Sequence, residues 1–218
     1  MKSKPMLFQP EMICALQREI DQPGTGKTQT RRIVKPQPQM VTDKTIEVWE
    51  GSAAALKVLL ERNGRPCPYG RPGDLLWVRE TWGIEFTDGI GEELVYRSDG
   101  ELDREWLRHG RWRPSIHMPR RLSRYTLLLT DVRVERVREI SEEDAMAEGA
   151  APSFTTDGGT LVSQPRYRYG FRDLWASIHG TAAWSLNDWA WALTFRPIAA
   201  NVDAVLADPA AYGIREAA

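Results

Sequence analysis

The sequence predicts an α+β fold that is mainly β, a closed barrel of about six strands with short helices around it. Three observations lead there. Short apolar or alternating segments recur about six times along the chain. Helical spacing appears in only three or four segments, all of them short. No strand–helix–strand unit repeats, which excludes a doubly wound parallel sheet and leaves closure as the way to protect strand edges.

Met6-Leu7-Phe8 reads as the first strand, and the apolar positions Met12, Ile13, Leu16 and Ile20 give a helix over 10–20. A glycine turn and a strand over 31–35 follow, the latter stopped by Pro36. Residues 36–65 form an insertion, with a proline-punctuated loop and a helix over 52–62 whose N-cap is Ser52. Pro72-Gly73-Asp74 is turn chemistry before a strand over 75–82. Another short strand covers 94–97, and residues 101–120, including Trp106, are irregular and rich in arginine and tryptophan. Residues 124–137 give the clearest alternation in the chain, a long bent strand or a hairpin. Ser141 caps a short helix stopped by Gly149, with Asp144 in the capping-box position. A Gly/Ser/Thr loop over 151–169 leads to an amphipathic helix over 171–179 and a closing strand over 189–196. The Ala-rich tail, 199–218, reads equally as a docking helix or as disorder.

Bulk composition narrows the function classes. The 218 residues are 42% hydrophobic and 27% charged, ordinary for a globular chain. The net charge is −1, so any nucleic-acid contact rests on local patches. Two cysteines do not make a disulfide framework and fit a reducing cytoplasm. No signal peptide or membrane span is expected. His109, His117 and His179 share no ligand spacing with each other or with Cys67, so neither a metal nor another cofactor is expected. The nine tryptophans are the outlier, and one or two of them have the chemistry of a base-stacking platform.

The chemistry concentrates in Gly26-Lys27-Thr28-Gln29-Thr30-Arg31-Arg32. Read as the end of a phosphate-binding P-loop, it lacks the leading glycine, since Asp21 stands there, and its helix–loop–strand order reverses that motif. Read as bare composition, it is a solvated basic loop. Read as a pattern, a helix, a glycine, Lys-Thr-x-Thr-Arg and a strand resemble the signature of ASCH domains, small β-barrels of the PUA-like superfamily. The Gly73-Asp74 strand, the central strand, the Ser141 helix and the closing strand extend the resemblance over roughly half the chain. It implies a single domain over 1–198 with insertions at about 36–65 and 101–120 and a tail over 199–218. The whole sequence also resembles phage-type ASCH proteins, which implies a bacterial or phage-infected host cytoplasm.

Some small ASCH proteins are amidohydrolases that deacetylate cytidine acetylated on its exocyclic amine. Carried over by motif, their lysine falls on Lys27, their threonine on Thr30 and their glutamate on Glu148, as the helix aligns without a gap from Ile140 to Glu148. A lysine desolvated in a barrel mouth suits a general base, and Thr30 or a water it holds suits the nucleophile. Glu148 either holds Lys27 or protonates the leaving amine. Burial lowers a lysine's basicity and a carboxylate partner raises it, and sequence does not decide between them. Arg31 or Arg32 is placed to hold a phosphate or the acyl oxygen, with Arg79, Glu80 and Trp82 near the same pocket. The alternative for Lys27 and Glu148 is a structural ion pair, and for Arg79–Glu80 an exposed one. Trp112, Arg113, Arg120 and Arg121 combine charge with a flat face, as a nucleic-acid groove requires, and equally suit a loop capping a barrel end. Three functions therefore stand: an amidohydrolase for a modified cytosine nucleoside, a non-catalytic reader of RNA or modified bases, and a phage structural or host-interaction protein.

Overall fold

The computed structural model describes residues 1–41, 46–49, 51–87, 91–100, 107, 110–155 and 159–214. Trp106, His109 and the last four residues of the tail lie outside them. In chain order the elements are β1 (Ser3–Leu7), α1 (Pro10–Asp21), β2 (Gln29–Ile33), β3 (Gln39–Val41), β4 (Ile46–Val48), α2 (Ala53–Arg62), β5 (Leu75–Arg79), β6 (Trp82–Thr87) and β7 (Gly91–Tyr96). There follow β8 (Thr126–Arg136), α3 (Glu142–Ala147), β9 (Ser153–Thr155), β10 (Leu161–Arg166), α4 (Tyr167–His179), α5 (Ala183–Leu186), β11 (Trp189–Ile198) and α6 (Val202–Ala207). Among the described residues, no helix is long and apolar enough to cross a membrane.

The strands correct the expected closed barrel. Five of them form one mixed sheet in the order β1-β5-β8-β11-β2, and the hairpins β3–β4, β6–β7 and β9–β10 stand as separate two-stranded sheets. Among the described residues no sheet closes on itself. The reason lies in the stretch expected as one strand over 75–82. It breaks after Arg79, and Trp82 begins β6, which pairs residue for residue with β7 from Trp82↔Tyr96 to Thr87↔Gly91. The strand expected over 94–97 is thereby spent on β6, a strand not expected beyond Trp82, and lies outside the five-stranded sheet. β1 and β2 stand at the ends of the sheet order, and β1 runs parallel to β5.

The chain forms two compact units. The first comprises Met1–Thr25, Gly73–Leu128 and Arg196–Ala218. Its core packs Leu75 and Trp77 of β5 against Ile198, Val202, Val205 and Ile214, so the described part of the tail is a docked helix. Asn201 caps α6, its side chain accepting from the Asp203 N–H at 2.9 Å. In α1, Pro10 occupies the first turn, where its missing N–H costs nothing, and Met12, Ile13, Ala15 and Leu16 form the buried stripe.

The second unit comprises Gly26–Pro72 and Leu129–Phe195. β2 pairs antiparallel with β11, from Gln29↔Thr194 to Ile33↔Ala190. Its core gathers Val137, Ile140 and Ala145 with Phe171 and Trp175 of α4, Trp184 of α5 and Ala190 of β11. α2 and α3 start as the sequence predicts. Ser52 Oγ accepts from Ala55 N at 3.3 Å, and Ser141 Oγ accepts from Asp144 N at 3.0 Å. The loop expected over 151–169 instead holds the β9–β10 hairpin and the first turn of α4.

α4 sits close to the chain leaving α3. A Cβ added at Gly170 would lie 1.6 Å from the carbonyl oxygen of Ala151. Glycine in a helix interior ordinarily costs stability relative to alanine, by roughly 0.5–1 kcal/mol. Here the sign reverses, because backbone must move to admit a methyl group. Gly170→Ala is expected to destabilise the protein by about 1–3 kcal/mol, the range for overpacking. Chemical denaturation checks this, and a neutral or stabilising effect would contradict the close approach.

Candidate active site

The signature stretch enters the second unit as an irregular segment and becomes β2 at Gln29. Two backbone hydrogen bonds fix its middle: Thr28 N–H donates to the Ala147 carbonyl, and Phe195 N–H donates to the Thr28 carbonyl, each at 2.8 Å. The segment is thus pinned between the end of α3 and β11. From Gln29 onward, alternation along the strand puts Gln29, Arg31 and Ile33 on one face and Thr30 and Arg32 on the other.

Lys27 is buried, 1% exposed, and its Nζ donates to Glu148 twice: to the carboxylate Oε2 at 3.0 Å and to the backbone carbonyl at 2.5 Å. Glu148 is the residue at which α3 ends, followed by Gly149 at a φ of 77°, so the helix terminus fixes its backbone and aims its carbonyl at the lysine. Burial pushes the Lys27 amine below an ordinary lysine. Glu148 opposes that shift through charge and hydrogen bond, while Arg32 and Arg31 add to it. The contest left open by the sequence is therefore decided for burial.

Arg31 holds the surrounding carboxylates together. Its guanidinium is 2% exposed, and NH1 donates to Glu148 Oε1 at 3.2 Å and to Gln29 Oε1 at 2.5 Å. NH2 donates to Glu135 Oε2 at 2.7 Å and Asp144 Oδ2 at 2.8 Å. Gln29 Nε2 completes the ring by donating to Asp144 Oδ1 at 2.9 Å. Burial disfavours the Arg31 charge, but Glu148, Glu135 and Asp144 outweigh it and strengthen its hold on the proton. Burial likewise pushes the Asp144 carboxyl up, and the hydrogen bonds from Gln29 and Arg31, with the charges of Arg31 and Arg133, more than offset it and hold Asp144 below the usual carboxylate range. Glu148 thus has both oxygens accepting, one from Lys27 and one from Arg31.

Thr30 is also buried, and its Oγ1 accepts from Arg32 NH1 at 2.9 Å. The same NH1 donates to the Arg31 carbonyl at 3.0 Å. Arg32 in turn lines a cavity of about 380 Å3 with Lys35, Arg65, Tyr69, His179 and Trp191. Arg32 therefore links an open cavity to the hydroxyl of Thr30, and its charge reaches Lys27. Sequence reading missed Lys35, Arg65, Tyr69, His179 and Trp191 as a group, as well as Glu135, Gln29 and Asp144 as partners of Arg31. The basic character of Lys35 and Arg65 and the aromatic Tyr69 were visible, but not that the end of the insertion lies against β2.

The remaining predicted residues sit in the first unit. Glu80 is buried and accepts from Arg124 Nε at 2.8 Å and from Ser98 Oγ at 2.6 Å, so its ion-pair partner is Arg124 and not Arg79. Arg79 lies over the Trp77 ring at 4.7 Å and donates from Nε to the Met118 carbonyl at 3.1 Å. Trp82 is buried beneath Arg113 at 4.6 Å, and Arg97 covers Trp112 at 5.5 Å. Arg120 pairs with Asp203 at 2.6 Å and donates to Ser3 Oγ at 2.8 Å, while Arg121 is exposed. Cation–π contacts thus cover the tryptophan faces expected to stack bases. The first unit also has a larger cavity, about 520 Å3, but Arg18 and Arg124 in its wall stand with Asp21 and Asp99, a charge-balanced lining.

Comparison with protein-family models, curated proteins and solved structures returns no match.

Two expectations follow from this geometry. Arg31→Met leaves three carboxylates without their shared cation and is expected to destabilise the protein by about 3–5 kcal/mol, the cost of breaking a buried ion pair; urea unfolding reads it directly. For Lys27 the folded-state amine titrates below 10.5, its unfolded value. Between those two values the unfolded chain binds more protons, so stability rises with pH, and the penalty is fully present below the folded value. Lys27→Met is expected to flatten that alkaline rise when unfolding free energy is measured against pH for both proteins. Parallel profiles would contradict the lowered basicity.

Proposed function

We propose that the protein is an amidohydrolase that removes an acyl group from the exocyclic amine of a cytosine nucleoside. The observation that carries this reading is the buried Lys27 amine, lowered in basicity and aimed by Glu148. A buried lysine of lowered basicity suits a general base better than a surface lysine does. The ASCH-like signature supplies the same residue types in the same order, which supports the reading independently of the sheet's open topology.

The residues divide the chemistry as follows. Neutral Lys27 Nζ takes the proton of the Thr30 hydroxyl as Oγ1 attacks the acyl carbon. The donor from Arg32 NH1 stabilises charge building on that oxygen. Collapse of the tetrahedral adduct breaks the C–N bond, and the Lys27 ammonium returns its proton to the leaving amine. Water then cleaves the Thr30 ester, passing a proton to Lys27 and from there to Thr30 Oγ1 as the carboxylic acid departs. Glu148, with both oxygens accepting, is a positioning residue in this scheme, as is Arg31 behind it.

A second reading has its own observation. The cavity at Arg32 joins cations to aromatic side chains, which equally suits a non-catalytic reader of a modified base. Turnover separates the two. Incubation with 4-acetylcytidine, followed by chromatography, is expected to yield cytidine. Lys27→Met and Thr30→Val are expected to lose about 10²–10⁴-fold in kcat/KM, the usual worth of a positioned base, while remaining folded. Arg32→Gln removes a cation that lowers Lys27 basicity, so the ascending limb of the pH–rate profile is expected to move to higher pH. Binding of the nucleoside without turnover would select the reader, and neither binding nor turnover would leave both readings without support.

A further inference from the structure

We propose that the cavity beside β2 is a nucleotide site whose cations hold the phosphate of a single cytosine nucleotide, so that the substrate carries a phosphate that a free nucleoside lacks. This rests on the amidohydrolase reading for the identity of the base, while the phosphate assignment stands on the cavity itself.

The side-chain charges in the lining are of one sign. Arg32, Lys35 and Arg65 contribute cations, and among the described residues no aspartate or glutamate lines the cavity. Asp188 is the acid that acts on the neighbouring His179, and Arg32 and Lys35 oppose it. Arg65 NH2 donates to the Pro36 carbonyl at 2.7 Å, which positions its guanidinium without neutralising it. Arg32 is buried and feels the Glu148 carboxylate, and Lys35 and Arg65 bring two further cations to the same open cavity, so an entering anion meets net positive charge in its wall. A planar guanidinium takes two oxygens of a phosphate at once, and lysine adds a point charge.

The rest of the wall is apolar and includes three aromatic side chains. Tyr69, His179 and Trp191 line the same space, and the His179 ring lies 4.2 Å from that of Trp175, which supports it from behind. Flat rings beside phosphate-binding cations are what a nucleotide requires, a face for the base and charge for the phosphate. The cavity volume, about 380 Å3, lies near the lower end of the range of small-molecule sites, ~300–1,000 Å3, which favours one nucleotide over a strand. Arg32 connects this space to Thr30, so a ligand held here meets the proposed nucleophile through the side chain that touches both.

The test is calorimetric binding, which needs no turnover. Wild type, Lys35→Gln and Arg65→Gln are titrated with 4-acetylcytidine, its 5′-monophosphate, inorganic phosphate and a short single strand containing the same base. The monophosphate is expected to bind at least about tenfold more tightly than the nucleoside, the worth of one charge-assisted hydrogen bond. That advantage of monophosphate over nucleoside is expected to shrink with added salt and in each variant. Lys35→Gln serves as the second variant should loss of the Pro36 contact perturb Arg65→Gln. Equal affinity for nucleoside and monophosphate would overturn the inference, and tighter binding of the strand would overturn its restriction to one nucleotide. Preferential binding of the monophosphate without any hydrolysis would sink the amidohydrolase reading and leave this inference standing.

Discussion

Burial of two cations around one carboxylate governs the second unit. Lys27 and Arg31 reach Glu148 from opposite oxygens, in a place where none of the three touches bulk water to any extent. Charges removed from water are costly unless paired and hydrogen-bonded. The structure answers that cost differently for the two cations. Arg31 is wrapped by Glu135, Asp144 and Glu148, which secure its charge. Lys27 has one carboxylate, shared with Arg31, and burial wins. The difference in partners secures the charge of one cation and leaves the other less basic than an ordinary lysine.

The elements follow from that arrangement. Glu148 reaches Lys27 because α3 ends there, and α3 begins at the Ser141 cap seven residues earlier. Arg31 points to the carboxylates because β2 alternates, and β2 is held in register by β11. A slip by one residue would exchange the faces of Arg31 and Arg32, placing the wrong arginine among the carboxylates. The sheet therefore determines which arginine is structural and which faces the cavity.

Much of this was legible in local sequence. Helix α1, the Ser52 and Ser141 caps and the long strand β8 follow from apolar spacing and capping chemistry, which act over a few residues. Lys27 and Glu148 were named together only through a resemblance, and their hydrogen bond is what the structure adds. The closed barrel did not survive, because periodicity identifies a strand without naming its partner; β6 and β7 took each other. The same limit hid the carboxylate ring around Arg31, whose members come from β2, β8 and α3. It hid the cavity too, where Lys35, Arg65 and Tyr69 meet Trp191 and His179 from far along the chain. Glu80 illustrates the point in the first unit. Its neighbour in sequence is Arg79, yet its ion-pair partner is Arg124.

The central claim is that Lys27 is a weakened base held by Glu148, and direct titration of its side chain tests it. With 13C-labelled lysine, the Lys27 Cε resonance is followed by NMR against pH in wild type and in Glu148→Gln. The account predicts a wild-type midpoint below the ordinary lysine value of 10.5, and a still lower one in Glu148→Gln, where the opposing carboxylate is gone. A wild-type midpoint at or above 10.5 would make Lys27 a plain ion-pair lysine and remove the base on which the proposed chemistry stands, and no response to Glu148→Gln would contradict the hold of Glu148 on it.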